Sequence, residues 1–255
     1  MQKKAYLDKI KACAIHLCTS LVVAGLAAWL VFGLWYPYPY RQIFGGRELF
    51  LLLVQVDVVL GPLITLIVYN RDKSRNEKML DFSVIGVLQL GALLYGLWTM
   101  AVARPVHTVF EYDRFRVVSA LEVPDDLLLK APPGLRVLPW TGPTLLSLRP
   151  MRADESVEMT MAAIGGVPLS ARPELWQDYE KGRQAILHAA RPLTQLIEQM
   201  PQYKNQIEES AQTLGKTVAD FVCLPLQGRN AVVWTLLLDR KSAEPLGYLP
   251  FDSFD

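Results

Sequence analysis

The hydrophobic positions of this chain are concentrated in three long runs within its first 103 residues. Each run is about as long as the roughly 20 residues that an α-helix needs to cross a bilayer core. The runs lie near 12–36, 49–69 and 82–103, and short polar links at 37–48 and 70–81 separate them. We therefore predict an α-helical membrane domain over residues 1–103, with three transmembrane helices.

From residue 104 onward the pattern changes to shorter segments. Residues 106–120 and 218–239 hold stretches rich in β-branched and aromatic residues, which predicts strands at 106–112, 115–120, 218–224 and 231–239. Between them, apolar positions at helical spacing predict helices within 173–214, broken at Pro192. Strands, then helices, then strands indicate an α+β domain over 104–255, in which Trp176 and Trp234 are at least partly buried.

Weaker patterns in the same domain favour further elements. They are compatible with strands at 135–138, 144–148 and 246–249, and with a short helix at 153–164. The first two predicted strands read as a hairpin with Asp113-Arg114 as its turn. That turn would set Glu111 opposite Arg116, which is a favourable cross-strand pair.

The charges predict the orientation of the membrane domain. The N-terminal segment and the link at 70–81 each carry four Lys or Arg, whereas the link at 37–48 carries two. Positive residues favour the cytoplasmic side, so we predict a cytoplasmic N-terminus. After three crossings, residues 104–255 then lie outside, which in a bacterium is the periplasm. The basic excess lies beside the membrane segments, and the second half contains no basic run or motif for nucleic acid.

The second run contains the most informative polar residue of the chain. It reads FLLLVQVDVVLGPLITLIVY over 50–69, with Asp57 near its middle and Gly61-Pro62 shortly after. An ionisable residue inside a membrane span is costly and is therefore a functional-site hypothesis. Asp57, Gly61 and Thr65 follow at i, i+4 and i+8, so they share one helix face that a second helix can approach closely. Pro62 also deprives the carbonyl of Val58 of its usual partner.

Two interpretations of Asp57 stay open with equal weight. In one, the carboxylate stabilises packing among the protein's own helices, through Gln89 of the third run or groups of the first. In the other, it belongs to a partner-binding face. Gln89 shares a helix face with Ala92 and Gly96, another polar-small-small pattern. His16 is interpreted as an interfacial histidine, because no His or Cys lies at metal-ligand spacing from it.

The sequence offers no pattern for catalysis, metal or cofactor binding. Cys13, Cys18 and Cys223 are scattered and form no CxxC pair, so we expect buried free thiols at all three. HExxH, P-loop and Gly-x-Ser-x-Gly motifs are missing from the sequence. An intramembrane aspartyl protease would need two cooperating carboxylates, whereas the three runs supply one.

The first half of the chain resembles the TfpX/TfpZ family of type IV pilin accessory proteins. The resemblance rests on LWYPYPY (34–40), LFLLLVQVDVVLGPLITLIVYN (49–70), DFSVIGVLQLGALLYGLWTM (81–100) and ARPVHTVFEYDRFRVVSA (103–120). It implies an inner-membrane protein that supports the stability or assembly of a specific type IV major pilin. It implies no enzymatic activity and carries over no catalytic residue.

The resemblance also implies a partner with two parts, a membrane helix and a periplasmic head. We hypothesise that the pilin helix docks on the face formed by Asp57, Gly61 and Thr65, with Gln89 nearby and Asp57 close to the pilin's charged N-terminal segment. Membrane lipid is the other expected contact, and the oligomeric state stays open. The alternatives are a periplasmic sensor or ligand-binding membrane protein and, ranked third, a pilin-modifying enzyme.

Overall fold

The computed structural model describes residues 2–70 and 72–253. Arg71, one of the cations counted for orientation, lies outside the described residues. The chain divides into two compact units. One, here called the membrane unit, comprises Met1–Arg41 and Gly45–Ala103, and the other, the C-terminal unit, comprises Gln42–Phe44 and Arg104–Asp255.

The described residues of the membrane unit contain three helices long and apolar enough to cross a membrane, which confirms that part of the predicted fold. The first span, Tyr6–Trp35, consists of most of α1 (Gln2–Leu30) followed by a π-helical stretch at Val31–Trp35. A short α2 (Tyr40–Ile43) follows. The second span, Gly46–Val68, contains α3 (Gly46–Val54), a π-helical stretch at Gln55–Leu60 and α4 (Gly61–Val68). The third span is α5 (Arg75–Val102).

All three helices begin earlier than the apolar runs. The third begins at Arg75 rather than near 82, because Ser74 and Glu77 form a capping box. In it the Ser74 hydroxyl accepts the Glu77 amide, and the Glu77 carboxylate accepts the Ser74 amide. The charged residues after Ser74 therefore extend the helix beyond its apolar stretch. The same holds for the N-terminal segment, which is helical from Gln2.

The C-terminal unit is built on a mixed eight-stranded sheet, as expected for an α+β domain. Its strands are β1 (Pro105–Glu111), β2 (Arg114–Ser119), β3 (Thr144–Leu148), β4 (Trp176–Asp178), β5 (Arg191–Pro192), β6 (Phe221–Gln227), β7 (Val233–Asp239) and β8 (Pro245–Leu249). The order is β4-β3-β1-β2-β6-β7-β8, and β5 pairs with β6. The β1–β3 and β2–β6 pairs are parallel, and the others are antiparallel.

The α-helices that follow in the described residues of this unit are α6 (Ser156–Ile164), α7 (Tyr179–Ala189), α8 (Leu193–Gln199) and α9 (Lys204–Thr213). The helices predicted within 173–214, the break at Pro192 and the strands near 144–148, 218–224, 231–239 and 246–249 are confirmed. Two assignments are wrong. Residues 135–138 form irregular structure with a bend, from which Leu135 and Val137 still pack on the core. Trp176 lies in β4 rather than in a helix, because its strand pairs with β3.

The β1–β2 hairpin forms as predicted, but its register differs. The turn is Tyr112-Asp113, and Glu111 pairs with Arg114 rather than with Arg116. Tyr112 adopts a left-handed conformation, with φ of 63°. This register places Phe110 directly opposite Phe115, with ring centroids 5.4 Å apart. The two buried rings therefore contact each other in the core. Arg116 contacts Glu122 instead, at 3.4 Å.

In the described part of the C-terminal unit, buried apolar side chains form two clusters. One surrounds Trp176, and the other lies where α8 and α9 cover β6 and β7. Trp176 is buried and Trp234 is half-buried, as predicted. Cys223 is a buried free thiol, and burial raises its pKa to about 12. Cys18, in contrast, is exposed on the surface of α1, so the expectation of burial is wrong for that cysteine.

Candidate functional site

A cluster of polar residues in the membrane unit lies beside a local distortion of the second span. Six residues, Gln55–Leu60, are π-helical, and the stretch ends directly before Gly61-Pro62. Proline has no amide hydrogen and its ring clashes with the carbonyl four residues earlier, so a regular α-helix cannot continue through it. The wider turns accommodate that proline, and π-helical turns of this kind are frequent at functional sites. Asp57 lies within them.

The face formed by Asp57, Gly61 and Thr65 points into the helical unit. All three residues are buried, and Thr65 is completely so. The Thr65 hydroxyl lies 2.5 Å from Nδ1 of His16 in the first span. The predicted shared face is therefore present, and at Thr65 it is covered by the first span of the protein itself.

Gln89 completes this polar cluster from the third span. Its Oε1 lies 2.8 Å from Nε2 of His16, and its Nε2 donates to the main-chain carbonyl of Asp57 at 3.3 Å. His16 thus bridges the second and third spans through its two ring nitrogens. The cluster of His16, Asp57, Thr65 and Gln89 links all three spans with hydrogen bonds, which a low-dielectric environment favours.

Gly61 allows these helices to approach closely. A Cβ built on Gly61 would overlap the Gln89 amide and would lie 3.0 Å from Nε2 of His16. The small residue is required at this position because the Gln89 amide occupies the space beside it. At the neighbouring residue, the thiol of Cys13 donates a hydrogen bond from Sγ to the Pro62 carbonyl at 3.4 Å.

Asp57 also lines an open cavity of about 550 Å³. One wall consists of first-span residues between Ala12 and Val23, and the other of third-span residues between Phe82 and Leu93. We call this cavity the Asp57 groove. Oδ1 of Asp57 is buried, and the described part of the chain gives it no hydrogen-bond partner. A buried polar atom without a partner is rare in native structures and calls for an explanation.

The four residues proposed from the sequence are thus close together. Asp57, Gly61 and Thr65 share a face, and Gln89 contacts it from the third span. Sequence reasoning missed His16, which it placed at the membrane interface. The helix begins at Gln2, so His16 lies well inside the first span. The rule that flagged Asp57, an ionisable residue inside a span, would also have found His16.

Two titratable groups of the C-terminal unit, His107 and Glu111, have pKa values that are shifted by burial. His107 is buried, with Nδ1 2.7 Å from the Thr144 hydroxyl and Nε2 2.8 Å from the Val137 carbonyl. Burial lowers the pKa of His107 to about 4. Burial also raises the pKa of Glu111. Among the described residues, no group of three or more His, Cys, Asp or Glu side chains is arranged to hold a metal ion.

Comparison with known proteins gives the family. The family described as fimbrial assembly protein FimB matches residues 4–45. The fimbrial assembly protein of serogroup I from Dichelobacter nodosus is 36% identical over 242 residues, which cover 94% of each chain. The chain belongs to the FimB family of fimbrial assembly proteins.

Two further relatives from the same organism agree with this assignment. The fimbrial assembly protein of serogroup E1 is 36% identical over 94% of both chains, and that of serogroups C1 and C2 is 43% identical over 51% of this chain and all of its own length. No solved structure matches this FimB-family chain. The family match over residues 4–45 contains His16, the member of the cluster that sequence reasoning had set aside.

Proposed function

We propose that this protein is an accessory protein of the TfpX/TfpZ kind that supports the stability or assembly of a specific type IV major pilin. The observation that carries the proposal is the 36% identity to a fimbrial assembly protein over 94% of both chains. The sequence resemblance described above specifies the partner within fimbrial assembly, because it implies a major pilin. Both parts of the pilin, its membrane helix and its head, are the proposed contacts.

The geometry adds support from the membrane unit. Three candidate spans meet at a polar cluster, and one carboxylate oxygen of that cluster lacks a partner in the described residues. An unsatisfied carboxylate oxygen inside a span is a place where another membrane helix can form a hydrogen bond between helices. Of the four residues proposed from the sequence, Asp57 and Gln89 line the open groove and are the proposed partner contacts, whereas Gly61 and Thr65 are covered by the protein's own side chains. We propose a role through binding rather than catalysis, as the resemblance implies.

The proposed location is the bacterial inner membrane, with a cytoplasmic N-terminus and a periplasmic C-terminal unit. The warrant is the excess of Lys and Arg in the N-terminal segment and the second link over the first link. A reporter that is active only in the periplasm, fused after Asp255, should be active. A reporter that works only in the cytoplasm should be inactive at the same position, and activity there would contradict the orientation.

The function is tested by deleting the gene in its own bacterium. We expect the amount of major pilin in the membrane to fall and surface pili to be lost, and both to return when the gene is restored. Immunoblots of the pilin and electron microscopy of pili measure these effects. Unchanged pilin and normal pili in the deletion strain would refute the proposal. Replacing the resident pilin gene with that of another strain tests whether the dependence is specific.

A further inference from the structure

We propose that the Asp57 groove receives one membrane-spanning helix of the pilin, and that this helix places a side-chain hydrogen-bond donor near the middle of its span. The inference rests on the proposed function for the identity of the partner. It changes the docking surface inferred from the sequence. The partner enters between the first and third spans instead of covering the Asp57–Gly61–Thr65 face.

That face is closed to a second helix by the protein's own side chains. Thr65 is in contact with His16, and the space beside Gly61 is filled by Gln89. Asp57 differs, because it also lines the groove. The way to this carboxylate is therefore lateral, between the first and third spans.

The groove has the form of a helix-docking surface. Its walls are mainly apolar, and Ile15, Phe82 and Leu90 are exposed at its sides. Small residues, among them Ala12, Ser20 and Gly86, line it as well. Helices in a membrane associate through close packing at small residues and through hydrogen bonds between polar side chains. The groove offers both features.

The unpartnered carboxylate oxygen decides between a helix and a lipid chain. Asp57 is only 7% exposed, and Oδ1 has no partner in the described residues. An acyl chain in the groove would leave that acceptor unsatisfied, which is costly for a polar atom and more so for a charged group. A helix with a hydroxyl, amide or ammonium donor removes this cost when the Asp57 side chain, which lines the groove, turns this oxygen towards the donor. Its backbone amides are already used within the helix, so the donor must be a side chain.

The position of Asp57 within its span indicates where along the partner helix the donor must lie. Asp57 lies eleven residues from each end of the span Gly46–Val68. At about 1.5 Å per residue this is roughly 16 Å from either end. Gln89 has a similar central position in Arg75–Val102. A charged group at the terminus of the pilin helix would therefore lie too far from Asp57. A donor near the middle of the pilin helix replaces the contact with the pilin N-terminus that was expected from the sequence.

Site-specific photo-crosslinking in native membranes tests the groove directly. A photo-reactive amino acid at Leu90, which lines the groove and is 56% exposed, should form a product that reacts with antibody to the pilin. The matched control is Leu88, which is also exposed on the same helix and is not part of the groove lining. There the pilin product should be absent or much weaker.

A second pair of variants tests the groove by a substitution that fills part of it and leaves every residue of the polar cluster unchanged. Gly86 lines the groove, and a Cβ at either Gly86 or Gly91 meets nothing within 4 Å. Gly86→Leu should therefore accumulate normally and abolish the pilin product from Leu90. Gly91→Leu introduces the same side chain outside the groove and should leave the product unchanged.

The outcomes separate this inference from the proposed function. Pilin crosslinked at Leu90, lost with Gly86→Leu and retained with Gly91→Leu, supports the groove as the docking site. A product with a second copy of this chain, with another protein, or with lipid only overturns it. If the deletion strain loses pilin but Leu90 gives no pilin product, the groove assignment fails and the proposed function stands. If Gly86→Leu does not accumulate, the Leu90 and Leu88 products alone decide.

Discussion

Two carboxylates in the described part of the chain are equally buried, yet their surroundings are opposite. Asp57 in the membrane unit and Glu155 in the C-terminal unit are each 7% exposed. Both oxygens of Glu155 accept hydrogen bonds, from the side chains of Arg149 and Arg152 and from the Arg152 amide. Oδ1 of Asp57 has no partner within the described residues.

The difference separates a structural carboxylate from a candidate binding site. A buried charge is stable only when its lone pairs are satisfied, and Glu155 meets that condition within its own chain. Its hydrogen bond with Arg149 holds the pKa of Glu155 at about 2. Asp57 meets the same condition only if a bound partner donates a hydrogen bond to its carboxylate. The substitutions below test this contrast in order of the loss of stability that each should cause.

Glu155→Gln should cause the largest loss, because two arginines lose their shared carboxylate. The folded pKa of about 2 lies below the ordinary value of 4.5, so the ionised group stabilises the fold above pH 4.5. That contribution is lost as the pH falls from 4.5 towards 2. We expect the wild-type protein to be more stable than the variant at pH 7 and the gap to close in this window. Thermal unfolding of the purified full-length proteins at several pH values measures it, and a gap independent of pH would contradict it.

Of the two carboxylates, only Asp57 could be identified from the sequence. Asp57 stands out because it interrupts an apolar run, and hydrophobic periodicity also gave the three spans, the hairpin and the helices within 173–214. Glu155 has no such signal, since its partners become apparent only when the chain folds around it. Long, uniform patterns predict elements well, whereas pairings between distant residues depend on tertiary structure.

The errors in the prediction have the same origin. The hairpin register depended on whether the chain aligned Phe110 with Phe115 or Glu111 with Arg116, and burial of the aromatic pair prevailed. His16 was placed at the interface because its helix was assumed to begin near residue 12. The earlier start at Gln2 moves it into the cluster. The Ser74–Glu77 capping box was readable in the sequence and would have corrected the third helix.

Gly61→Ala should cause the next largest loss, within the membrane unit. The added methyl group overlaps the Gln89 amide, which is held by His16 and by the Asp57 carbonyl. Gln89 must then move and lose those bonds, and overpacking of this kind typically costs about 1–3 kcal/mol. Gly86→Ala is the control, since its Cβ meets nothing within 4 Å. Thermal unfolding in detergent compares them, and equal stability of the two variants would show that the cluster is not tightly packed.

Thr65→Val should cause a smaller loss. It keeps the shape of the side chain and removes the hydroxyl that contacts His16. Hydrogen bonds between membrane helices contribute about 0.6 kcal/mol on average. The control Thr99→Val removes a hydroxyl that bonds within its own helix, to the Tyr95 carbonyl. A loss of several kcal/mol with Thr65→Val alone would mean that the polar cluster, and not apolar packing, holds the three spans together.

Asp57→Leu should cause no loss of stability at all, which is the sharpest test of the contrast with Glu155. Gln89 bonds the main-chain carbonyl of Asp57, a group that leucine retains. Removing an ionisable group from the middle of a span even favours the helix, by up to about 3 kcal/mol. The variant protein should therefore accumulate normally in the membrane.

The pilin should respond differently to the same change. If the Asp57 carboxylate accepts a hydrogen bond from the pilin, Asp57→Leu lowers the amount of pilin although the accessory protein itself is abundant. Asp57→Asn keeps the shape and an acceptor oxygen, so a similar fall with Asn shows that the partner requires the charge. Quantitative immunoblots of both proteins from the same membranes provide the measurement. Depletion of the accessory protein by Asp57→Leu would show that the carboxylate stabilises its own helices, and normal pilin and piliation with both variants would remove Asp57 from the binding site.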